Sequence, residues 1–177
     1  MDHPATTPLA NDVRPASPAL GLRRAAPSLA LATAVIALDQ GTKALVRARL
    51  DLYEVWPAGW ELIRFQHIQN TGAAFGILQG AGAFLLVAAF IVIAGITAFL
   101  LTLPSHGRLY HIALALILGG AVGNLIDRVR LGAVTDFIDP THYPAFNLAD
   151  SGIVCGVALL AFLAFRDSDD SPLRDAP

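Results

Sequence analysis

From residue 81 to residue 103 the chain carries no Asp, Glu, Lys or Arg, and that run limits every fold open to it. A helix rises 1.5 Å per residue, so about 20 apolar residues cross the hydrocarbon of a bilayer. Three further apolar segments approach that length, at 27–46, 110–126 and 148–165. Of the 177 residues, 55% are hydrophobic and only 15% charged, whereas soluble domains are about 25% charged. The expected fold class is therefore an all-α membrane protein with four transmembrane helices. A formal net charge of −2 gives no basic surface for nucleic acid.

The chain divides into three parts. Residues 1–26 are rich in Pro, Ala, Asp and Arg without apolar periodicity, and read as a disordered N-terminal tail. Residues 27–166 form the membrane domain, and 167–177 (DSDDSPLRDAP) a C-terminal tail. Arg23 and Arg24 before an apolar run resemble the start of a signal peptide, but the polar DQGTK stretch interrupts that run, so the segment is read as a retained span. Two connections, 47–80 and 128–147, contain the strand-like stretches WELIRFQHI and GAVTDFID. Non-helical backbone needs water or protein cover, so both are expected at a membrane surface as a small β-containing platform, with Trp56 and Trp60 at the headgroup level.

Four crossings return the chain to the side on which it began. The end of the first span, the end of the third and the start of the fourth then lie on the opposite side. Asp39 is about 18 Å along a helix from residue 27, and Lys43 one turn further. Asn124 and Asp127 end the third span, and Asp150 heads the fourth. Asn70, Arg128, Asp136 and Asn147 lie in or beside the connections on that same side. Ionisable residues at membrane depth are costly and mark function or pairing. Asp39 and Lys43, four apart on one helix face, are in the favourable order for an ion pair and are read as structural. The other half of the membrane holds no such residue, which argues against an ion path. Arg14, Arg23, Arg24, Arg108, Arg166 and Arg174 on one side outweigh Arg47, Arg49, Arg64, Arg128 and Arg130 only slightly, and this bias weakly selects cytoplasmic termini.

The chemistry narrows by residue type. Ser151 lacks a nucleophile-elbow setting, the histidines show no metal-ligand spacing, and no phosphate-binding loop is present. The one cysteine, Cys155, sits in an apolar run and is read as a small buried hydrophobe. Carboxylates remain. Asp127, Asp136 and Asp150 flank one stretch between the third and fourth spans. Two carboxyls held close share a proton near neutral pH. The ionised one activates water while the protonated one polarises a carbonyl, and that hydrolysis requires no metal and no cofactor. Helix capping alone is the competing, non-catalytic explanation for these aspartates.

The strings DQGTK (39–43), NTGAAFG (70–76), GGAVGNLIDR (119–128), VTDF (134–137) and FNLAD (146–150), in this order, resemble lipoprotein signal peptidase, also called signal peptidase II. The resemblance covers about residues 27–166. It implies an aspartic endopeptidase of the bacterial inner membrane, multi-pass and monomeric, with its site toward the periplasm and both termini cytoplasmic. The implied substrates are diacylglyceryl-modified prolipoproteins, met among membrane lipids and cut before the lipobox cysteine. Asp136 and Asp150 match the family's catalytic pair, with Asp127 the rival for the first role. Asp127 is otherwise assigned to ion pairing beside Arg128. Asn70, Gly72, Asn124, Asp127, Arg128 and Asn147 match residues that line or support the site, and Asp39 and Lys43 match an architectural motif. The stretch between Asp136 and Asp150 is short for the family.

Overall fold

Four helices and one small sheet make up the computed structural model, which describes residues 18–60, 62–72, 82–102 and 107–169. In chain order these are α1 (Pro18–Arg49), β1 (Val55–Trp56), β2 (Ile63–Asn70), α2 (Gly82–Thr102), α3 (Arg108–Leu131), β3 (Val134–Pro140) and α4 (Leu148–Asp169). All four helices are long and apolar enough to cross a membrane, as the sequence predicts.

Helix α3 is the centre of the bundle. Its Ala113, Leu114, Ala115, Ile117 and Leu118 are buried, whereas α2 buries only Leu100. The outward residues of α2, among them Phe84, Phe90 and Ile91, are exposed and suit a hydrocarbon solvent. In lipid, apolar burial does not drive helices together, so close backbone packing by small residues must. A Cβ on Gly119 would lie 2.9 Å from the Ala32 carbonyl oxygen of α1 and 2.7 Å from Val35 Cβ. One on Gly120 would collide with the Ala149 carbonyl of α4. Gly156 of α4 stands in the same relation to Ala113, 2.6 Å from its carbonyl oxygen. Glycines thus set how closely α1 and α4 approach α3.

Three helix ends lie well beyond the predicted ones. Helix α1 begins at Pro18 rather than 27, so residues 18–26 are helical and not tail; residues 1–17 lie outside the described residues. Pro27 is inside the helix, where it forfeits one main-chain hydrogen bond, while its neighbours Ala25 and Ser28 are buried against the bundle. Helix α3 runs past Asn124 and Asp127 to Leu131 and stops at Gly132, whose left-handed φ of 74° lets its N–H reach the Arg128 carbonyl. Polar residues need not end a membrane helix if they face protein. Helix α4 continues to Asp169, and residues 170–177 lie outside the described set.

Both strand-like stretches are strands. They pair antiparallel, with Ile68 opposite Asp136 and Asn70 opposite Val134, in a sheet of order β1-β2-β3. Strand β1, at two residues, is too short to leave a periodic signal. Phe146 returns to β3, bonding through both its N–H and its carbonyl to Ile138, and this brings the start of α4 beside the sheet.

The helix packing generates a paired test. Gly120→Ala is expected to destabilise the protein by about 1–3 kcal/mol through overpacking. Gly41→Ala, where an added Cβ meets nothing within 4 Å, is expected to leave it unchanged or raise it by up to about 1 kcal/mol. Unfolding titrations in mixed detergent micelles give both values.

Candidate active site

Two layers of carboxylates lie where α1, α3, β3 and α4 converge. The deeper one is ionic. Lys43 Nζ is 2.9 Å from Asp39 and 3.5 Å from Asp127, and all three side chains are at most 1% exposed. Lys43 also donates to Asn124 Oδ1 at 2.8 Å. Asp127 accepts from Gln40 (3.2 Å) and from the Thr135 N–H (2.9 Å), and lies 3.6 Å from Arg47. Its ionic partners are therefore Lys43 and Arg47 rather than the adjacent Arg128, because neighbouring residues on a helix point about 100° apart. Asp39 accepts the Ala149 N–H at 3.0 Å, one of the donors left open in the first turn of α4. The sequence expectation that Asp39 and Lys43 pair is met.

The second layer consists of Asp136 on β3 and Asp150 on α4. Both line a cavity of about 900 Å³, with Asn70, Gly72, Asn124 and Arg128 also in its wall. Asp136 accepts from Asn147 Nδ2 at 2.6 Å on one oxygen and from Asn70 Nδ2 at 2.9 Å on the other. Asp150 accepts from Asn124 Nδ2 at 2.7 Å on one oxygen. Its other oxygen takes the Asn147 N–H at 3.2 Å, while the Asp150 N–H donates to Asn147 Oδ1 at 3.0 Å. That reciprocal pair is a capping box at the start of α4. Asp150 therefore does cap its helix, and it faces the cavity as well.

The neighbours of Asp136 are neutral amides rather than cations. Burial pushes its carboxyl up to about 6, with Asn70 opposing the shift and the charge of Asp150 adding to it. Arg128, half-buried, donates to the Gly72 carbonyl at 3.2 Å; the Gly72 N–H donates to Asn70 Oδ1 at 2.9 Å. A continuous chain thus runs from Arg128 through Gly72 and Asn70 to Asp136. Of the NTGAAFG string, residues 73–76 lie outside the described set.

All the residues predicted for the site converge on this region. Sequence reasoning missed Gln40, Arg47 and Thr135. Arg47 stands four residues beyond Lys43 on the same helix face, which was a usable signal. Arg47 donates to Thr135 Oγ1 at 2.9 Å. Cys155 differs from expectation: it is exposed and lines the cavity with Ile153 and Val154, one turn or more beyond Asp150. Ser151 donates to the Asn147 carbonyl at 3.0 Å, as a helix hydroxyl commonly does, so nothing marks it as a nucleophile. Among the described residues no group of three or more His, Cys, Asp or Glu side chains could hold a metal ion.

Comparisons with known proteins identify the family. A family model described as signal peptidase (SPase) II matches residues 31–166. A lipoprotein signal peptidase of Streptomyces coelicolor is 43% identical over 84% of this chain and 75% of its own length. One of Geobacter metallireducens is 43% identical over 77% of this chain and 90% of its own. A solved structure described as a bacterial membrane enzyme superposes with a TM-score of 0.77 at 29% identity, covering 83% of this chain and 93% of the other.

The hydrogen bond from Asn70 favours the ionised form of Asp136. Asn70→Ala is therefore expected to raise the titration midpoint of that carboxyl above about 6. The protonated-carboxyl infrared band that Asp136→Asn removes reports it, and an unmoved midpoint would show that the Asn70 amide does not hold the charge.

Proposed function

The chain belongs to the signal peptidase II family, whose members cleave signal peptides from prolipoproteins, and on that premise we propose that Asp136 and Asp150 are its catalytic pair. One observation carries the choice. Asp136 and Asp150 both open onto the cavity, whereas Asp127 is occupied by Lys43, Arg47, Gln40 and the Thr135 amide. Asp127 is thus engaged by two cations inside the bundle, while Asp136 and Asp150 are held by neutral amides and face the cavity.

The proposed reaction is hydrolysis of the peptide bond before a diacylglyceryl-modified lipobox cysteine. With one proton shared by the pair, the ionised carboxylate takes a proton from water as its oxygen attacks the scissile carbonyl. The protonated carboxyl donates to the developing oxyanion. Collapse of the tetrahedral species breaks the C–N bond, and the amine leaves with a proton from the pair. Asn70, Asn124 and Asn147 fix the two carboxyls, and Gly72 and Arg128 support Asn70. Two carboxyls and water balance the reaction, so the mechanism calls on no cofactor.

Position in the membrane supports the same reading. The cavity has a polar floor and an apolar wall of Ile153, Val154 and Cys155 on α4, suited to a lipid-anchored apolar segment. Trp56, in β1, and Trp60, shortly after it, are exposed, as side chains at a headgroup layer are. We infer that this layer is the periplasmic face of the inner membrane, with both termini in the cytoplasm.

Asp136→Asn and Asp150→Asn are each expected to lower cleavage of a diacylglyceryl-prolipoprotein by at least about 10²–10⁴-fold while the protein still folds. Asp127→Asn should instead lower thermal stability, because it leaves Lys43 and Arg47 short of a buried anion. Mass spectrometry of the released signal peptide and melting curves together separate the two roles; near-parental turnover by either of the first two variants would end the assignment.

Orientation has its own measurement. In a Cys155→Ala background, a cysteine at Thr141 is expected to react with a membrane-impermeant thiol reagent on intact spheroplasts, and one at Ser168 is not. The reverse pattern would put the aspartates in the cytoplasm.

A further inference from the structure

We propose that Tyr53 is a substrate-contacting residue that grips the polypeptide on the carboxyl side of the scissile bond, a role that rests on the peptidase reading above. Three observations meet at this residue. Its backbone has φ 68°, a left-handed conformation that is a true outlier for a bulky side chain. Its ring is 62% exposed, so core packing does not hold it there. The residue nonetheless lines the cavity that contains Asp136 and Asp150.

The backbone around Tyr53 is fastened in that conformation. Its N–H donates to the His67 carbonyl at 2.8 Å, and its carbonyl accepts from Gln66 Nε2 at 3.0 Å. On one side, the Leu50 carbonyl lies 3.0 Å from His67 Nδ1; a carbonyl only accepts, so that nitrogen carries the proton. On the other side, the Glu54 carbonyl accepts the His67 N–H at 3.3 Å, and Glu54 Oε2 accepts the Asp51 N–H at 2.7 Å. Residues 66 and 67 of β2 thus clamp the 50–54 turn from its two ends. Glycine would adopt this φ without cost. A tyrosine held there with most of its surface exposed gains little in packing, and strain of this kind gathers where a side chain must be presented.

The elements that line the cavity suggest what is presented to what. Ile153, Val154 and Cys155 continue along α4 from Asp150 within a membrane span, a lining that suits the apolar signal segment and the acyl chains. Tyr53, in the turn before β1, and Ile68 and Gln69 of β2 line the same cavity from outside the spans. Polypeptide leaving the aspartates away from the bilayer passes this second set of residues. An extended chain offers carbonyl acceptors to a phenol and aliphatic surface to a ring, and tyrosine is suited to both. Its hydroxyl has no hydrogen-bond partner among the described residues.

The test uses the full-length enzyme and two synthetic diacylglyceryl-prolipoprotein peptides, one ending at the modified cysteine and one extending several residues beyond it. Tyr53→Gly is expected to raise KM for the longer peptide about fivefold or more with kcat within about twofold, and to leave the shorter peptide's KM unchanged. The same variant is expected to melt at a higher temperature, since glycine relieves the φ. Tyr53→Asn, whose side chain tolerates the left-handed region, carries the same test should the glycine variant fail to fold. A parental KM for the longer peptide, or an equal rise for both peptides, would overturn the proposal. Failure of the parent enzyme to cut either peptide would instead count against the peptidase reading itself.

Discussion

Lys43 is the charge around which the molecule is arranged. An ammonium buried at membrane depth survives only if anions and dipoles surround it, and here Asp39, Asp127 and the Asn124 amide do so. These partners come from α1 and α3, and Asp39 extends the contact to the first turn of α4 through the Ala149 N–H. The glycine at 123 makes room for it: a Cβ there would lie 2.6 Å from Asp39 Oδ2. The ion cluster and the small-residue packing are thus one device. Neither is possible without the other, because a carboxylate between α1 and α3 needs a helix surface with no side chain opposite it.

That arrangement also determines which way the site's amides face. An amide group has one accepting and one donating end. Lys43 takes the accepting end of Asn124, so the donating end is left for Asp150. Asn147 uses its oxygen on the Asp150 N–H, so its nitrogen faces Asp136 and the Asn124 oxygen. Each oxygen of Asp136 and Asp150 therefore meets an N–H, and the nearest donors are uncharged. Two classes of aspartate result. Asp39 and Asp127 have cations within 4 Å, in ion pairs within α1 and between α1 and α3. Asp136 has amides only, burial dominates, and its carboxyl rises to about 6. A pair expected to exchange a proton near neutral pH needs the second kind of setting, and the first kind supplies the rigidity around it.

Much of this was legible in the sequence, and the parts that were not have specific causes. The four spans followed from apolar length, the two longer strands from β-branched and aromatic alternation, and the Asp39–Lys43 pair from its i,i+4 spacing. The start of α1 was misplaced because the residues before Pro27 are rich in Pro, Ala and Arg and show no apolar periodicity, yet the helix begins at Pro18 and Pro27 lies well inside it. The end of α3 was misread because Asn124 and Asp127 interrupt an apolar run, and hydropathy does not distinguish a residue facing water from one facing a buried lysine. Partners were harder than candidates. Arg128 is adjacent to Asp127 in sequence yet serves Gly72, and Arg47, distant in sequence, serves Asp127. Tyr53 gave no signal at all, since a left-handed φ at a non-glycine residue is imposed by contacts from β2 that no local pattern encodes.

The two cavity aspartates also sit on supports of different kinds, and that bears on where the bond to be cut must lie. Asp150 belongs to the first turn of a membrane helix, fastened by its capping box and, through the preceding residue Ala149, to Asp39. Asp136 belongs to a strand outside the spans, joined to β2 at Ile68. The turn that carries Phe146 back to Ile138 is what brings the strand and the helix together. A carboxyl from the bilayer and a carboxyl from the sheet can close on one peptide bond only at the boundary between them. A soluble peptide has no reason to rest there. A chain anchored by apolar segment and acyl groups does, because the hydrophobic effect holds its anchor in the lipid and leaves the adjoining bond at that depth. The membrane thereby does part of the positioning that a soluble protease must achieve with a deep specificity pocket.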